Sequence, residues 1–386
     1  NYQVEIVAVY QPFTPDALQA RLIAENVGIC ILEQMPLSHA DVQIDALYGI
    51  GLNRELDKKS QDLIQQFNAA HGLKIAIDIP SGLHPHTGVP LPIAVKADYT
   101  YSFIGLKTGL VIGQAQYYVG DLQVIPLIPK DEQVAVKAYF KTQLPVLKPR
   151  LNHQHKGSFG HVLVIGGHPQ MGGAVSMSAE AAIHSGSGKV TVLCDAQHHS
   201  AIVARSPNIM LKNIQQTDVM ELVKIFKEID VICFGMGLGR DAWGEQNYHM
   251  VVNALKQSPH LKHVIWDADA LWFLALHPQD ITIQPTWIFT PHSGEAARLL
   301  ACSVAEIEQD RIAAIEALQQ KYGGQWVLKG AGSLSLEDGQ LSICGLGNAG
   351  MGTAGMGDVL AGMMASLKGQ FEDEISVADV VLLHAA

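Results

Sequence analysis

Short runs of apolar and β-branched residues alternate with helical stretches along the first third of the chain. These runs predict five strands, which span residues 4–9, 30–32, 42–47, 74–79 and 99–104. Strands that alternate with helices favour a mostly parallel sheet that is covered on both faces. We therefore predict an α/β fold of three layers, with ligands bound at the carboxyl ends of the strands.

The same alternation restarts after a stretch that is rich in proline. Residues 122–150 carry four prolines and a short charged patch, which is typical of a link between domains. A chain of 386 residues is comfortable for two domains, and we predict that they cover residues 1–143 and 144–386. In the second domain, apolar strands are predicted at residues 161–165, 231–234, 264–266, 287–290 and 326–328.

Glycine is concentrated between Gly345 and Gly362, where it occupies seven of eighteen positions. The stretch leads into apolar residues at helical spacing, so it predicts a turn followed by the start of a helix. Backbone N–H groups at such a start bind phosphate, because they lack partners within the helix. Asp358 stands at this junction, where its carboxylate would repel an anion unless it accepts a proton from a reacting hydroxyl. The alternative is that Asp358 is an N-cap or a first-turn acid.

Composition narrows the classes of partner. The net charge is −11 and no basic cluster is present, which argues against nucleic acid and anionic membranes as partners. No apolar run reaches the length of a membrane span. The five cysteines are scattered and none has C-x-x-C spacing, so we predict free thiols in a reducing compartment, the cytoplasm.

Several motifs of the second half resemble one enzyme family. Residues 352–358, with the sequence GTAGMGD, resemble the anion-hole and catalytic-aspartate motif of ribokinase-like enzymes. With the preceding Gly347-Asn348 and the segment HKGSFGHVLVIGG from His155 onward, they are most similar to ADP-dependent NAD(P)H-hydrate dehydratases. Members of that family repair NADH or NADPH whose nicotinamide ring has taken up water. The resemblance spans residues 145–386 and implies a ribokinase-like domain.

The same resemblance implies roles for individual residues. Asp358 would act in catalysis and contact the hydrated nucleotide, together with Ala174, Gly237 and His292. ADP, or ATP, with Mg²⁺ would bind to two loops, through Lys329, Gly330, Ala331, Gly332, Ser333, Gly355 and Gly357. Simpler structural roles stay open for two of these residues. Ala174 could serve in packing alone, and His292 in hydrogen bonding alone.

Four further polar residues near these positions have structural interpretations. We predict that Ser293 is an N-cap, with Glu295 in the first turn of the same helix. Asp267 and Asp269 fit either Mg²⁺ binding or capping of the next helix. Capping is favoured for Asp267, and both roles stay open for Asp269.

Direct loss of water from the hydrated ring is hindered because hydroxide is a poor leaving group. We hypothesise that Asp358 deprotonates the ring hydroxyl, while donors around Gly355 to Gly357 stabilise the transferred phosphoryl group. Phosphate then leaves and NAD(P)H is restored, with positioning and electrostatics supplying most of the rate. The alternative is a ribokinase-like kinase of a sugar or vitamin alcohol, with a non-catalytic binding module as its first half.

Two motifs of the first half resemble a second family. DALYGIGLNRE, which begins at Asp45, and AIDIPSGL, which contains Asp78, are similar to the NAD(P)H-hydrate epimerase domain, which interconverts the two epimers of the hydrate. The resemblance implies a Rossmann-like domain in which Asp45 and Ser81 bind K⁺ through oxygen, and in which Asp78 contacts the substrate and moves a proton. It also implies a loop that lines the hydrated nucleotide, formed by Gly49, Ile50, Gly51, Leu52, Asn53, Arg54 and Glu55.

Other interpretations of the first half remain. Helix capping is the alternative for Asp45 and for Asp78. Lys107 also fits the epimerase motif, with a solvated surface lysine as its alternative. The N-N-G-G-D-G loop of that family, which supplies a further K⁺ ligand and a phosphate cradle, belongs upstream of Asn1, so we expect an incomplete epimerase site in this sequence. We also expect a homo-oligomer, whose number of subunits the sequence does not determine.

Overall fold

The chain divides into two compact units, Asn1–Ala135 and Val136–Ala386. The structure, a computed structural model, describes residues 3–10, 14–34, 40–129 and 135–386. Residues 136–143 lie in the second unit rather than the first, because strand Tyr139–Lys141 pairs with strand Gln340–Cys344. The division therefore comes earlier than the predicted boundary near residue 143.

The first unit has parallel strands with helices between them, as the alternation of apolar runs predicted. Among the described residues of this unit, one sheet has two strands and the other has four, in the order β3-β4-β5-β6, and the pairings are parallel. The strands are β1 (Ile6–Val7), β2 (Ile31–Leu32), β3 (Val42–Asp45), β4 (Leu73–Ile77), β5 (Tyr99–Phe103) and β6 (Asp121–Ile125). The helices are α1 (Pro15–Asn26), α2 (Lys58–Ala69) and α3 (Gln116–Val119).

The second unit is built on one sheet of ten strands, in the order β10-β9-β8-β11-β12-β13-β14-β15-β16-β7. Its strands are β7 (Tyr139–Lys141), β8 (His161–Ile165), β9 (Lys189–Cys194), β10 (Met210–Asn213), β11 (Val231–Phe234), β12 (His263–Trp266), β13 (Ile288–Phe289), β14 (Gln325–Leu328), β15 (Leu334–Glu337) and β16 (Gln340–Cys344). Only β15 runs antiparallel to its neighbours. The helices are α4 (Gly172–His184), α5 (His199–Arg205), α6 (Val219–Phe226), α7 (Ala242–Lys256), α8 (Asp269–Leu276), α9 (Ser293–Leu300), α10 (Val304–Gln309), α11 (Arg311–Tyr322), α12 (Met356–Phe371) and α13 (Val377–Ala385).

An aromatic ladder crosses one face of this sheet. Phe234, Trp266, Phe289 and Trp326 stand opposite one another in register on four neighbouring strands, with ring centroids 4.6–5.8 Å apart. Tyr248 of α7 stacks on Phe234 at 6.1 Å, so α7 covers this face. Side chains alternate along a strand, and the intervening residues pack on the opposite face with α4 and α12. The second unit therefore has three layers, as predicted.

Helices α4 and α12 pack closely because of a glycine at their contact. A β-carbon built on Gly362 would clash with the carbonyl oxygen of Ser178 and lie 2.9 Å from the carbonyl carbon. Both helices begin at the edge of the sheet where the parallel strands end. Their close contact consequently fixes the start of α12 against the first turns of α4.

The described helices and cysteines agree with two expectations from composition. The longest described helix, α12, has 16 residues, and none of the helices described is long and apolar enough to cross a bilayer. All five cysteines are free, as the absence of paired spacing predicted.

Replacing Gly362 with alanine is expected to destabilise the second unit by roughly 1–3 kcal/mol, because the new methyl group meets the backbone of Ser178. Gly173→Ala on α4 is the matched control, since a β-carbon built there has no neighbour within 4 Å. Chemical denaturation of the full chain would measure both variants. Equal stabilities would contradict the proposed close packing of α4 on α12.

Candidate active sites

The glycine-rich stretch leads into α12, and Asp358 lies in the first turn of that helix. Gly355 precedes the helix with a φ of 93°, which strains any residue with a side chain, and a β-carbon there would lie 2.5 Å from the Met177 sulfur and displace it. The backbone oxygen of Asp358 accepts a hydrogen bond from Ser178 Oγ at 2.8 Å. The first-turn N–H groups lack partners within the helix, so anion binding at this turn stays a prediction.

Lys329 follows β14 and brings a positive charge to this turn. Its Nζ donates to Asp267 Oδ1 at 2.7 Å and lies 3.8 Å from Glu295 Oε2. A β-carbon on Gly357 would lie only 3.1 Å from the same Nζ, so the ammonium reaches the start of α12. The structure thus brings together three residues that the sequence analysis assigned to one site, Lys329, Gly357 and Asp358.

Burial and neighbouring charges set the protonation of this cluster. Burial, reinforced by the charge of Asp267, raises the pKa of Asp358 to about 6, although Lys329 opposes the shift. Burial also raises the pKa of Glu295 to about 7, again against the effect of Lys329. Burial alone would lower the pKa of Lys329, but the carboxylates around it raise the value above the ordinary one. Asp358 therefore exchanges a proton near neutral pH.

The predicted capping role of Asp267 is wrong. Helix α8 begins at Asp269 with Ala268 as its N-cap, and no side chain caps it. The Asp267 carboxylate instead accepts from Lys329 and from Thr290 Oγ1, at 2.7 Å each. Its position at the end of a buried strand made capping plausible, but the long-range partner decides its role.

Asp269, for which two roles were open, stabilises the loop before α7. Its carboxylate accepts from Gly239 N at 2.9 Å and from Arg240 Nε at 2.7 Å. Asp267 and Asp269 are thus each paired with a cation of the protein, Lys329 and Arg240.

Ala174 and Gly237, both assigned to the hydrated nucleotide, lie against each other. Gly237 has a φ of 56°, and a β-carbon there would lie 2.6 Å from the Met171 carbonyl oxygen and 3.3 Å from Ala174 Cβ. Ala174 precedes Ser178 by about one helical turn, roughly 6 Å along α4. Because Ser178 bonds to the backbone of Asp358, the two candidate contacts lie close to the start of α12.

His292 is the N-cap of α9, so the prediction that Ser293 caps this helix is wrong. His292 Nδ1 accepts from Gly294 N at 2.9 Å and from Glu295 N at 3.3 Å, while Glu295 accepts from His292 N at 2.8 Å. Ser293 is the first residue of the helix, and its hydroxyl donates to Glu308. The His292 ring is 58% exposed, so hydrogen bonding by Nδ1 leaves part of the ring accessible to a ligand.

The loop that follows Lys329 is anchored from beneath by a buried arginine. Arg311 donates to the carbonyl oxygens of Leu328 and Lys329 at 3.2 and 3.1 Å. Gly330 N donates to Ser333 Oγ at 3.2 Å, which closes the loop on itself. Ala331 is exposed at the tip and Gly332 is buried. Nucleotide binding by this loop stays a prediction.

In the first unit, the predicted K⁺ ligands Asp45 and Ser81 are in direct contact. Ser81 Oγ donates to Asp45 Oδ1 at 2.6 Å, and Ser81 N donates to Oδ2 at 2.7 Å. Both residues are buried, and burial raises the pKa of Asp45, although the Ser81 hydrogen bonds oppose this. The buried oxygens are thus grouped at the carboxyl end of β3, and the binding of K⁺ by them stays a prediction.

Asp78 lines a cavity of about 610 Å³ in the first unit, with Gly49, Ile50 and Lys107. Its backbone has a φ of 69°, and its carboxylate accepts from Phe103 N at 3.0 Å and from Lys107 Nζ. Lys107 is only 16% exposed, so the alternative of a solvated surface lysine is wrong. The paired Asp78 and Lys107 offer a base and an ammonium to a ligand in this cavity.

The other residues of the predicted substrate loop differ in how far they are exposed to solvent. Leu52 is buried in a small core with Ile64 and Phe67 of α2. The exposed residues of the loop, outside the lining of the cavity, are Gly51, Asn53, Arg54 and Glu55. Tyr48 and Phe103 also line the cavity and were not among the predicted contacts, although Tyr48 stands within the motif DALYGIGLNRE.

Comparison with known proteins supports both halves of the assignment. Residues 162–386 match the family described as NAD(P)H-hydrate dehydratase, and residues 1–109 match the family described as YjeF-related protein N-terminus. Over 349 residues the chain is 39% identical to the bifunctional NAD(P)H-hydrate repair enzyme of Vibrio cholerae, which covers 89% of this chain and 68% of that protein. The chain belongs to the bifunctional NAD(P)H-hydrate repair enzymes. The family predicted from the motifs is thereby confirmed.

Two further relatives show how much of the family's length this chain covers and which fold its second unit has. The Escherichia coli bifunctional NAD(P)H-hydrate repair enzyme is 38% identical over 336 residues, which cover 86% of this chain and 63% of that protein. The chain therefore spans about two thirds of the length of these relatives. The ADP/ATP-dependent NAD(P)H-hydrate dehydratase from Bacillus subtilis, crystallised with ATP/Mg²⁺, has a TM-score of 0.54 at 25% identity and covers 65% of this chain and 88% of its own. The predicted ribokinase-like fold of the second unit is confirmed.

Asp267→Asn is expected to lower the pKa of Asp358 from about 6 toward the ordinary value near 4. The substitution removes a nearby negative charge and frees Lys329 to pair with the remaining carboxylates, and both changes favour ionised Asp358. Carboxyl ¹³C NMR titration of labelled aspartate would measure the shift. Asp338→Asn, on the exposed turn between β15 and β16, makes the same charge change and should leave the Asp358 titration unaltered. An unchanged titration in Asp267→Asn would contradict the coupling.

Proposed function

We propose that the second unit restores NAD(P)H from its hydrates by transferring a phosphoryl group from ADP or ATP. The observation that carries this proposal is the position of Asp358, whose pKa is raised to about 6 at the start of α12. A base in the first turn of a helix faces the place where the helix N–H groups would hold a phosphoryl group. The family assignment identifies the hydrated nucleotide as the second reactant.

In the first step, Asp358 takes the proton from the ring hydroxyl of the hydrate. The hydroxyl oxygen forms a bond to the terminal phosphorus of the nucleotide, and the bond to the bridging oxygen breaks, which releases AMP from ADP. Lys329 and the N–H groups near Gly355 and Gly357 stabilise the negative charge on the moving group. These residues act by position, since the structure holds them together before reaction.

In the second step, the phosphate leaves with the electrons of the carbon–oxygen bond, expelled by the lone pair of the ring nitrogen. The released phosphate, or water, then takes a proton from the neighbouring ring carbon, and the electrons of that carbon–hydrogen bond restore the double bond of NAD(P)H. Ala174, Gly237 and His292 would position the nicotinamide ring beside Asp358. Because Asp267 and Asp269 are already paired with Lys329 and Arg240, we propose that Mg²⁺ arrives with the nucleotide phosphates and is not held by these two acids.

Asp358→Asn is expected to lower the dehydration rate at least 100-fold, because an amide does not accept the hydroxyl proton. The assay follows the return of NADH absorbance and the release of phosphate from hydrated NADH with ADP or ATP. Nucleotide binding, measured by calorimetry, should persist in the variant. The wild-type rate should fall as the pH drops through about 6, where Asp358 becomes protonated.

Asp373→Asn is the control, since Asp373 is an exposed acid on the turn that follows α12. It should retain the wild-type rate. A fast Asp358→Asn enzyme with bound nucleotide would contradict the assigned role. A stable phosphate ester without NADH would instead support the alternative of a small-molecule kinase.

For the first unit we propose epimerisation of the same hydrates, with Asp78 as the proton-transferring group and Lys107 as its cationic partner. The cavity beside Gly49 and Ile50 is large enough to receive a nicotinamide ring. K⁺ would bind to Asp45 and Ser81 and supply a positive charge that holds a phosphate or ribose oxygen. The fit is supported by chemistry, because the hydrogen-bond partners described for the buried Asp45 carboxylate, Ser81 and Leu47, are neutral and leave its charge uncompensated.

Potassium chloride is expected to raise the unfolding temperature of the wild-type chain more than an equal concentration of tetramethylammonium chloride. A cation that binds only the folded state stabilises it by mass action. Asp45→Asn should remove this difference, whereas Asp41→Asn, an exposed acid just before β3, should keep it. Scanning calorimetry measures the effect without requiring turnover. The same response in Asp45→Asn and Asp41→Asn would refute a K⁺ site at Asp45.

A further inference from the structure

Two histidines and a glutamate converge on the outer side of the second unit. Glu245 and His249 lie four residues apart on α7 and therefore share one face of that helix. His277 comes from the residue that follows α8. One ligand atom from each of the three residues lies within 4.8 Å of the others, and no second group of this kind occurs in the described ranges.

The distances within this cluster are close to those of a metal site. Glu245 Oε1 lies 3.1 Å from His277 Nε2 and 4.0 Å from His249 Nε2. Ligands about 2.1 Å from a tetrahedral ion are separated from one another by roughly 3.4 Å. No two of the three ligand atoms are more than 4.8 Å apart, so side-chain movements of about 1 Å would bring them to coordination distance.

A fourth side chain orients one of the histidines. Asp280 Oδ2 lies 3.2 Å from His249 Nδ1, on the ring atom that faces away from Glu245. With Nδ1 beside this carboxylate, Nε2 is the ring nitrogen left to face Glu245. A carboxylate that fixes the second nitrogen of a histidine is the usual outer partner of a metal ligand.

Solvent reaches all four side chains, whose exposed fractions lie between 24% and 48%. An ion can therefore enter without unfolding of the helices. The rings of His249 and His277, with centroids 5.0 Å apart, border the buried Tyr248. Packing on Tyr248 explains the positions of the two rings. It does not explain why the carboxylates of Glu245 and Asp280 lie on either side of His249.

We propose that Glu245, His249 and His277 bind a divalent transition-metal ion of the Zn²⁺ class, with Asp280 orienting His249. Two imidazoles and one carboxylate favour Zn²⁺, Ni²⁺ or Co²⁺ over Mg²⁺, which prefers oxygen ligands. Three protein ligands leave one position for water. The bound ion takes the place of the hydrogen bond between His277 Nε2 and Glu245 Oε1.

The bound ion links the first half of α7 to the end of α8. The loop before α7 contains Gly239 and Arg240, which Asp269 at the start of α8 already holds. The ion therefore joins the same two helices at a second point and stabilises them, without contact to Asp358 or Lys329. This inference does not depend on the proposed function.

The test uses the full chain after removal of metal with a chelator. Zn²⁺ is titrated in competition with a chromophoric chelator, and Co²⁺ is titrated while the visible spectrum is recorded. We expect one site per chain, the strong visible bands of four-coordinate Co²⁺, a higher unfolding temperature with Zn²⁺, and no competition from Mg²⁺. His249→Ala and His277→Ala should each weaken binding at least 100-fold, and Asp280→Asn by about 10-fold.

Controls separate this site from the other 15 of the 17 histidines in the chain. His153→Ala removes an exposed histidine outside the cluster and should bind Zn²⁺ as the wild type does. Glu245→Gln keeps the shape of the side chain and should still lower the affinity for Zn²⁺. This variant tests the site even if circular dichroism shows that an alanine variant is unfolded. Equal stoichiometry and affinity in the wild type and Glu245→Gln, or only the weak spectrum of six-coordinate Co²⁺, would overturn the proposal.

Discussion

The ion pair between Lys329 and Asp267 is the interaction on which the candidate site of the second unit depends. Three acids, Asp267, Glu295 and Asp358, share a partly buried space with this one ammonium. In such surroundings like charges repel strongly, and an uncompensated carboxylate takes up a proton. Lys329 offsets part of this repulsion, so that Asp358 gives up and accepts its proton near neutral pH instead of remaining protonated.

The backbone makes this pairing possible. Lys329, Asp267 and Thr290 follow three neighbouring strands whose carboxyl ends lie at one edge of the sheet. Gly357 lacks the side chain that would separate the ammonium from α12, and Gly362 lets α12 approach α4. In the first unit, Asp45 and Asp78 likewise lie at the carboxyl ends of parallel strands. Asp45 is bound by Ser81, and Asp78 is bound by Lys107.

The sequence was sufficient for features that depend on neighbouring residues. Apolar runs predicted the strands, and the glycines before Asp358 predicted the start of α12. It was insufficient where a role depends on a partner far along the chain. Asp267 was interpreted as a cap because its partner Lys329 is 62 residues away. His292 was missed as a cap because imidazole is an unusual capping group, whereas Ser293 beside it is a common one.

The antiparallel strand β15 has a consequence for the position of the glycine-rich segment. After β14 delivers Lys329, the chain crosses the sheet along β15 and returns along β16. Because the chain reverses direction twice, β16 ends at the same edge of the sheet as Lys329. The glycine-rich segment that leads to α12 therefore begins at that edge. The tip of the hairpin, Asp338-Gly339, is left at the far border. Insertions or labels at that tip would thus be held a full strand length away from the chemistry.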